Sequence, residues 1–149
     1  MDYETREIIS SFVSEGYDLI DTAEGKLQFL MVDAEDNIRY YREGDDNIEI
    51  INAIFRTFHS IKGTAGYLNF QTINRITHQA ESLLDIYRKE YIKPFHDEID
   101  VLFRCLEFLR RLIKHVEENF SDEGFEEEFD QISQEIEAIQ TLLLEEIVK

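Results

Sequence analysis

One proline and six glycines are spread over 149 residues, and this scarcity constrains the fold more than any other feature. Tight β-turns and extended linkers need residues that supply a positive or a fixed φ, and the chain carries almost none. No segment alternates apolar and polar residues with the period of two that an exposed strand requires. Apolar side chains recur instead at helical spacing, in five blocks joined by short connections, which make consecutive helices antiparallel neighbours. The expected fold is therefore all-α: an antiparallel up-and-down four-helix bundle with an additional fifth, C-terminal helix.

The first block predicts a helix over Thr5 to Met31, with Ile8, Ile9, Phe12, Tyr17, Ile20, Ala23, Leu27 and Leu30 facing inward. In the polar stretch Asp33 to Asn47 that follows, Asn37 to Glu43 either extends this helix or forms a turn of its own. Asp46 with Glu49 three residues later predicts a capping box for the second helix. That helix buries Ile51, Ile54, Phe55, Phe58, Ile61 and Ala65 and stops near Asn69, a residue that tolerates a left-handed cap. A third helix, Thr72 to Arg88, is ended by Pro94. The fourth, Asp97 to Asn119, carries a stripe from Leu102 to Phe120 that includes Cys105. Ser121 to Gly124 is a turn, and Phe125 to Ile147 repeats apolar residues close to a 3.5-residue seam. Residues 1–120 are thus read as the bundle and 121–149 as the fifth helix, packed on the bundle or leading to a linker.

Composition narrows the function. Fifteen Lys and Arg against 33 Asp and Glu give a net charge of −18, which repels phosphate backbones and anionic lipid, so neither nucleic acid nor membrane is an expected partner. The longest apolar run, Phe29 to Val32, is far short of the roughly 20 residues that span a bilayer. The N-terminus lacks the basic and apolar regions of a secretory signal, and a single cysteine forms no internal disulfide. A cytoplasmic location is expected, with Cys105 as an inert core thiol.

The segment FRTFHSIKGTAGYLNF, Phe55 to Phe70, departs from an ordinary bundle helix. At about 100° per residue, His59 points roughly 105° from the apolar stripe, onto the exposed flank. Lys62 and Gly63 lie within a turn of it. Gly63 and Gly66 each cost a helix about 1 kcal/mol. Spacing leaves two readings of them open: close approach of another protein's surface to the imidazole, or tight packing between helices. On the third helix Glu81 lies roughly 110° from the apolar direction in the same rotational sense, so that the two flanks face each other across one groove. A carboxylate accepting from one ring nitrogen leaves the other as a neutral nucleophile, and a nearby ammonium offsets the charge of a phosphoryl group.

Other chemistries find no support. Three residues before the four histidines stand Arg56, Arg75, Lys93 and Leu112, so the Glu-x-x-His pairs of di-iron bundles are missing. There is no H-E-x-x-H and no phosphate-binding glycine loop; no metal site and no nucleotide site is expected. His96 and His115 read as solvent-facing helix residues, and the acidic runs as solvated faces.

His59-Ser60-Ile61-Lys62-Gly63-Thr64-Ala65-Gly66-Tyr67-Leu68-Asn69-Phe70 resembles the signature of histidine phosphotransfer (HPt) domains, H-S-x-K-G-x-A-x-x-x-G-F. It is most similar to the version at the N-terminus of CheA-type chemotaxis histidine kinases. His78-Gln79-Ala80-Glu81-Ser82-Leu83-Leu84-Asp85 resembles the next helix of that subfamily, and the likeness runs over residues 4 to 120. It implies that His59 is phosphorylated on Nε2, that Glu81 bonds its Nδ1, and that Lys62 stands beside the phosphoryl group. By the same likeness His78 tunes the site, and Ser60, Gly63 and Gly66 serve docking. Asn69 stands where the family usually has glycine. The implied partners are a histidine-kinase catalytic core, in the same longer protein or separate, and a response-regulator receiver domain. ATP and Mg²⁺ are implied to come through those domains, with no cofactor bound here, so the chain is a carrier and not itself a catalyst. The alternative is a non-catalytic interaction bundle that keeps the fold for docking alone. Within the carrier reading, a domain of a longer CheA-type kinase is favoured over a free-standing shuttle.

Overall fold

A computed structural model describes residues 1–148. Five helices follow one another: α1 (Tyr3–Asp33), α2 (Asn47–Tyr67), α3 (Gln71–Lys89), α4 (His96–Asn119) and α5 (Glu126–Val148). α1 packs on α2 and α4, and α3 packs on the same two helices, closing a four-helix square; α5 lies outside it against α3 and α4. Among the described residues β pairing is limited to an isolated antiparallel bridge between Tyr40 and Ile92.

Periodicity located most of the core. Ile73, Ile76, Ala80, Leu83, Leu84 and Tyr87 of α3 are all fully buried, as are Ile51, Ile54 and Phe58 of α2. α5 adds Phe129, Ile132, Ile136 and Leu143 to the same apolar cluster. Cys105 is buried there as well, and desolvation pushes its thiol up to about 12, which keeps it protonated and unreactive. Gly16 permits the α1–α4 approach: a Cβ there would stand 2.8 Å from Ile113 Cδ1.

Several expectations are corrected. Ile8 and Phe120 are exposed, at 39% and 41%: Ile8 points roughly 85° away from the buried stripe of Ile9, Phe12, Val13 and Gly16, and Phe120 caps the end of α4. Phe120 also leaves the helical conformation, with φ 57°. The capping box at Asp46 does not form: its backbone is helical and its side chain caps nothing. Instead the Asn47 N–H donates to Asp45 Oδ1 at 2.9 Å. Residues 34–46 do not extend α1; they form a turn-rich loop lying against the connection after α3, where the Lys93 N–H donates to the Arg39 carbonyl. His96 and His115 are half-buried, the first with Nδ1 2.8 Å from Asp36 Oδ1 and the second edge-on to Phe125.

Two devices fix the α2–α3 hairpin. Asn69 adopts φ 64°, the left-handed cap that the sequence suggested, and Phe70 then turns inward and stacks on Phe12 of α1. α3 has no side-chain cap of its own; the buried Asp122, from the α4–α5 connection, accepts the Ile73 N–H at 2.8 Å. Its carboxyl is raised above its ordinary value by burial, against the lowering effect of the backbone N–H donors of α3.

Candidate functional site

α2 and α3 run antiparallel with their polar flanks turned toward one another, which brings three sequence-selected side chains together. His59 Nδ1 stands 3.1 Å from Glu81 Oε2, and Lys62 Nζ donates to Glu81 Oε1 at 2.9 Å. Exposure grades sharply across the trio: the His59 side chain is 64% accessible, that of Lys62 24% and that of Glu81 14%. Burial alone would raise the Glu81 carboxyl, but the hydrogen bonds and charges of Lys62 and His59 outweigh it and hold the group below its ordinary 4.5. An ionised carboxylate only accepts, so Nδ1 carries the proton and donates. Nε2, on the opposite edge of the ring, then holds its lone pair toward solvent.

The supporting residues were invisible as such in the sequence. Phe55, read there as core, is only half-buried, and its ring stacks on His59 at a centroid distance of 6.1 Å and an interplanar angle of 12°. The Arg88 guanidinium covers Phe55 from α3, 3.8 Å from the ring centroid. Asp85 holds Arg88 at 2.7 Å and Lys89 at 2.9 Å. Spacing along α3 places Asp85 and Arg88 one and two turns beyond Glu81, a signal that could have linked them to Phe55 and His59.

The two glycines divide between the readings left open. A Cβ on Gly63 would meet nothing within 4 Å, whereas on Gly66 it would lie 3.0 Å from Asn74 Nδ2, the group that donates to the Lys62 carbonyl. Gly66 therefore serves packing, and Gly63 leaves open surface. Ser60 is exposed beside a shallow groove shared with Phe12, Glu15 and Leu19 of α1. His78 is exposed three residues before Glu81 and forms no hydrogen bond among the described residues. Also among those residues, no group of three or more His, Cys, Asp or Glu side chains is placed to hold a metal ion, and no helix is long and apolar enough to cross a membrane.

Compared with known proteins, residues 7–142 match the family model of the Hpt domain. The chain belongs to the Hpt domain family. This Hpt domain is 28% identical over 142 residues to the sensor histidine kinase CheAY of Helicobacter pylori, covering 94% of the chain and 16% of that protein. It is 30% identical over 137 residues to the chemotaxis protein CheA of Klebsiella aerogenes, covering 92% and 19%. The chain thus spans less than a fifth of the length of these relatives. Among solved structures, a histidine phosphotransfer domain of CheA superposes with a TM-score of 0.72 at 27% identity, over 89% of this chain and 91% of that one. The phosphorylated P1 domain of CheA3 from R. sphaeroides, in complex with CheY6, superposes with a TM-score of 0.73 at 20% identity over 89% and 98%. The Hpt fold, expected from twelve residues of motif and the helical periodicity, extends into α5.

Proposed function

We propose that this Hpt domain carries phosphoryl groups in two-component chemotaxis signalling, between a histidine-kinase ATP-binding core and an aspartate of a receiver domain. The observation that carries the reading is the His59–Glu81 contact, which engages Nδ1 on a ring that is otherwise largely in solvent. In the first step the Nε2 lone pair attacks the γ-phosphorus of ATP; an N–P bond forms and the bond to the ADP oxygen breaks. The ring becomes cationic while its proton stays on Nδ1, and Glu81 stabilises that charge. Lys62 lies beside the incoming dianion. In the second step an aspartate oxygen attacks phosphorus, the N–P bond breaks, and the neutral imidazole is restored. Catalysis in both steps is positioning and charge neutralisation, with ATP and Mg²⁺ brought by the partner domains. The chain is then a substrate and carrier, working in the cytoplasm as one domain of a longer CheA-type kinase. His78, one turn from Glu81, tunes the site through its proximity.

The test is to incubate the folded protein with a CheA-type kinase core and ATP and assay acid-labile, base-stable phosphate. Label on the wild type that vanishes in His59→Gln is expected. Equal label in both moves the site, with His78 next in line; no label at all favours a bundle used only for docking.

Gly63→Ala separates docking from folding. Its Cβ enters open space, so the variant is expected to gain about 0.5–1 kcal/mol of stability from helix propensity. Phosphotransfer to a receiver domain is expected to slow despite that gain. A more stable variant with unchanged transfer removes Gly63 from the docking surface.

A further inference from the structure

Charge is distributed very unevenly over this chain. The stretch Asn47 to Lys89, which is α2, α3 and the turn between them, holds five Lys or Arg and three Asp or Glu; the remaining residues hold ten and 30. The hairpin that presents His59 is therefore +2 in a chain whose remainder is −20. Two of its three acids are already engaged with cations of the hairpin itself, Glu81 with Lys62 and Asp85 with Arg88 and Lys89. Arg56 is exposed one turn before His59 and makes no ion pair among the described residues, and the Lys89 side chain is 67% accessible. Elsewhere six of the described cations are spent on acids, among them Arg110 on Asp21 and Glu24, Arg111 on Glu128 and Arg104 on Glu135, while Arg6, Lys26 and Lys114 are scattered over α1 and α4.

We infer that the α2–α3 face around His59, with Arg56, Lys62, Arg88 and Lys89, is an electrostatic steering surface for an acidic protein face. Its occupant is a partner whose phosphoryl-accepting aspartate stands among further carboxylates. The inference rests on the phosphotransfer reading for the acceptor's identity and on charge complementarity for the rest. A site that transfers phosphoryl groups with Mg²⁺ binds the ion through carboxylates, so before the metal and phosphate are counted it presents negative charge. At physiological ionic strength the screening length is about 8 Å, so a compact acidic face meets the basic hairpin and is screened from the surrounding negative surface. An extended polyanion, or a membrane, would overlap that negative surface and be repelled. The same distribution discriminates orientation, since an acidic partner approaching α1, α4 or α5 meets like charge.

The experiment compares association rates of the full chain with a receiver domain of acidic active-site face, by stopped-flow fluorescence over a range of NaCl concentrations. Arg56→Glu/Lys89→Glu is set against Lys26→Glu/Lys114→Glu, which changes net charge equally on other faces. The hairpin variant is expected to associate at least about tenfold more slowly at low salt, with the gap closing as salt rises and dissociation little changed. The control pair is expected to stay near the wild-type rate. Equal slowing in both variants, a wild-type rate insensitive to salt, or no association at all overturns the inference. Labelling of His59 by phosphoramidate, a small donor that needs no docking, is measured alongside. Its absence overturns the phosphocarrier reading separately, because the association rates do not depend on it.

Discussion

Arg39→Ala is expected to destabilise the protein by about 3–5 kcal/mol, the cost of leaving a buried charge without its partner. Arg39 stands in the loop between α1 and α2, yet its side chain is only 10% accessible and that of Glu98 4%. Two of its nitrogens donate to the two Glu98 oxygens at 2.8 Å each, Nε donates to Glu146 at 2.9 Å, and the guanidinium lies 3.6 Å from the centroid of the Phe95 ring. Burial alone would favour the neutral guanidine, but Glu98 and Glu146 reverse this and hold the group charged. Without Arg39, Glu98 keeps the Tyr87 hydroxyl at 2.7 Å and the Phe95 N–H at 3.1 Å, both neutral donors. The network also ties the last turn of α5 to the α1–α2 loop and to the start of α4. Urea denaturation should show a lower midpoint at unchanged slope, and hydrogen exchange should quicken in residues 34–46 and at the C-terminal end of α5. Adding Glu98→Gln should restore part of the loss by removing the stranded charge. A loss below about 1 kcal/mol, the range of surface pairs, would place the network among exposed ion pairs and sink the argument.

That network marks the limit of what the sequence displays. A helix stripe is legible because its period depends only on residues three and four apart, which is why Ile73, Ile76, Ala80, Leu83, Leu84 and Tyr87, at that spacing along α3, are all buried. The His59–Glu81 pairing is legible for a related reason: each residue's angle from its own stripe is local, and antiparallel packing does the rest. Arg39, Glu98 and Glu146 lie 59 and 107 residues apart, and nothing in the spacing of a polar loop says which carboxylates it will meet. The Asp122 cap on α3, 49 residues from the Ile73 N–H it accepts, is equally non-local. Asp46 and Glu49 had the local pattern of a cap and lost it, because the loop's docking onto residues 90–95 sets the backbone into which α2 must start. Phe55 shows the converse error. Its spacing belongs to the core stripe, but it sits at the stripe's edge, where Arg88 and His59 both pack against its ring.

Glu81→Gln is expected to slow phosphorylation of His59 by about 10- to 100-fold, the usual range for losing the carboxylate that orients a working imidazole. The substitution keeps shape and removes charge. A glutamine amide accepts from Nδ1–H through its oxygen or donates to a bare Nδ1 through its nitrogen, so the tautomer is no longer fixed and part of the population carries its proton on Nε2, where it blocks attack. The cationic ring formed on phosphorylation also loses its counter-charge, and Lys62 loses its 2.9 Å partner. Stability should change little, since His59 and part of Lys62 are solvent-accessible and exposed pairs contribute under about 1 kcal/mol. What contribution exists has a definite sign in pH. The carboxyl is held below its ordinary 4.5 in the folded protein, so its ion pairs stabilise above that value and are lost as pH falls through the lower, folded one. Wild type and Glu81→Gln should therefore differ at neutral pH and converge under stronger acid. Long-range ¹⁵N–¹H correlation spectra of His59 separate orientation from folding. A proton confined to Nδ1 in the wild type, shared between the nitrogens in the variant, and a rate loss in proportion would establish Glu81 as the positioning residue. A retained Nδ1–H with an undiminished rate would leave the tautomer fixed by other groups, with the Phe55 stack the remaining contact on the ring.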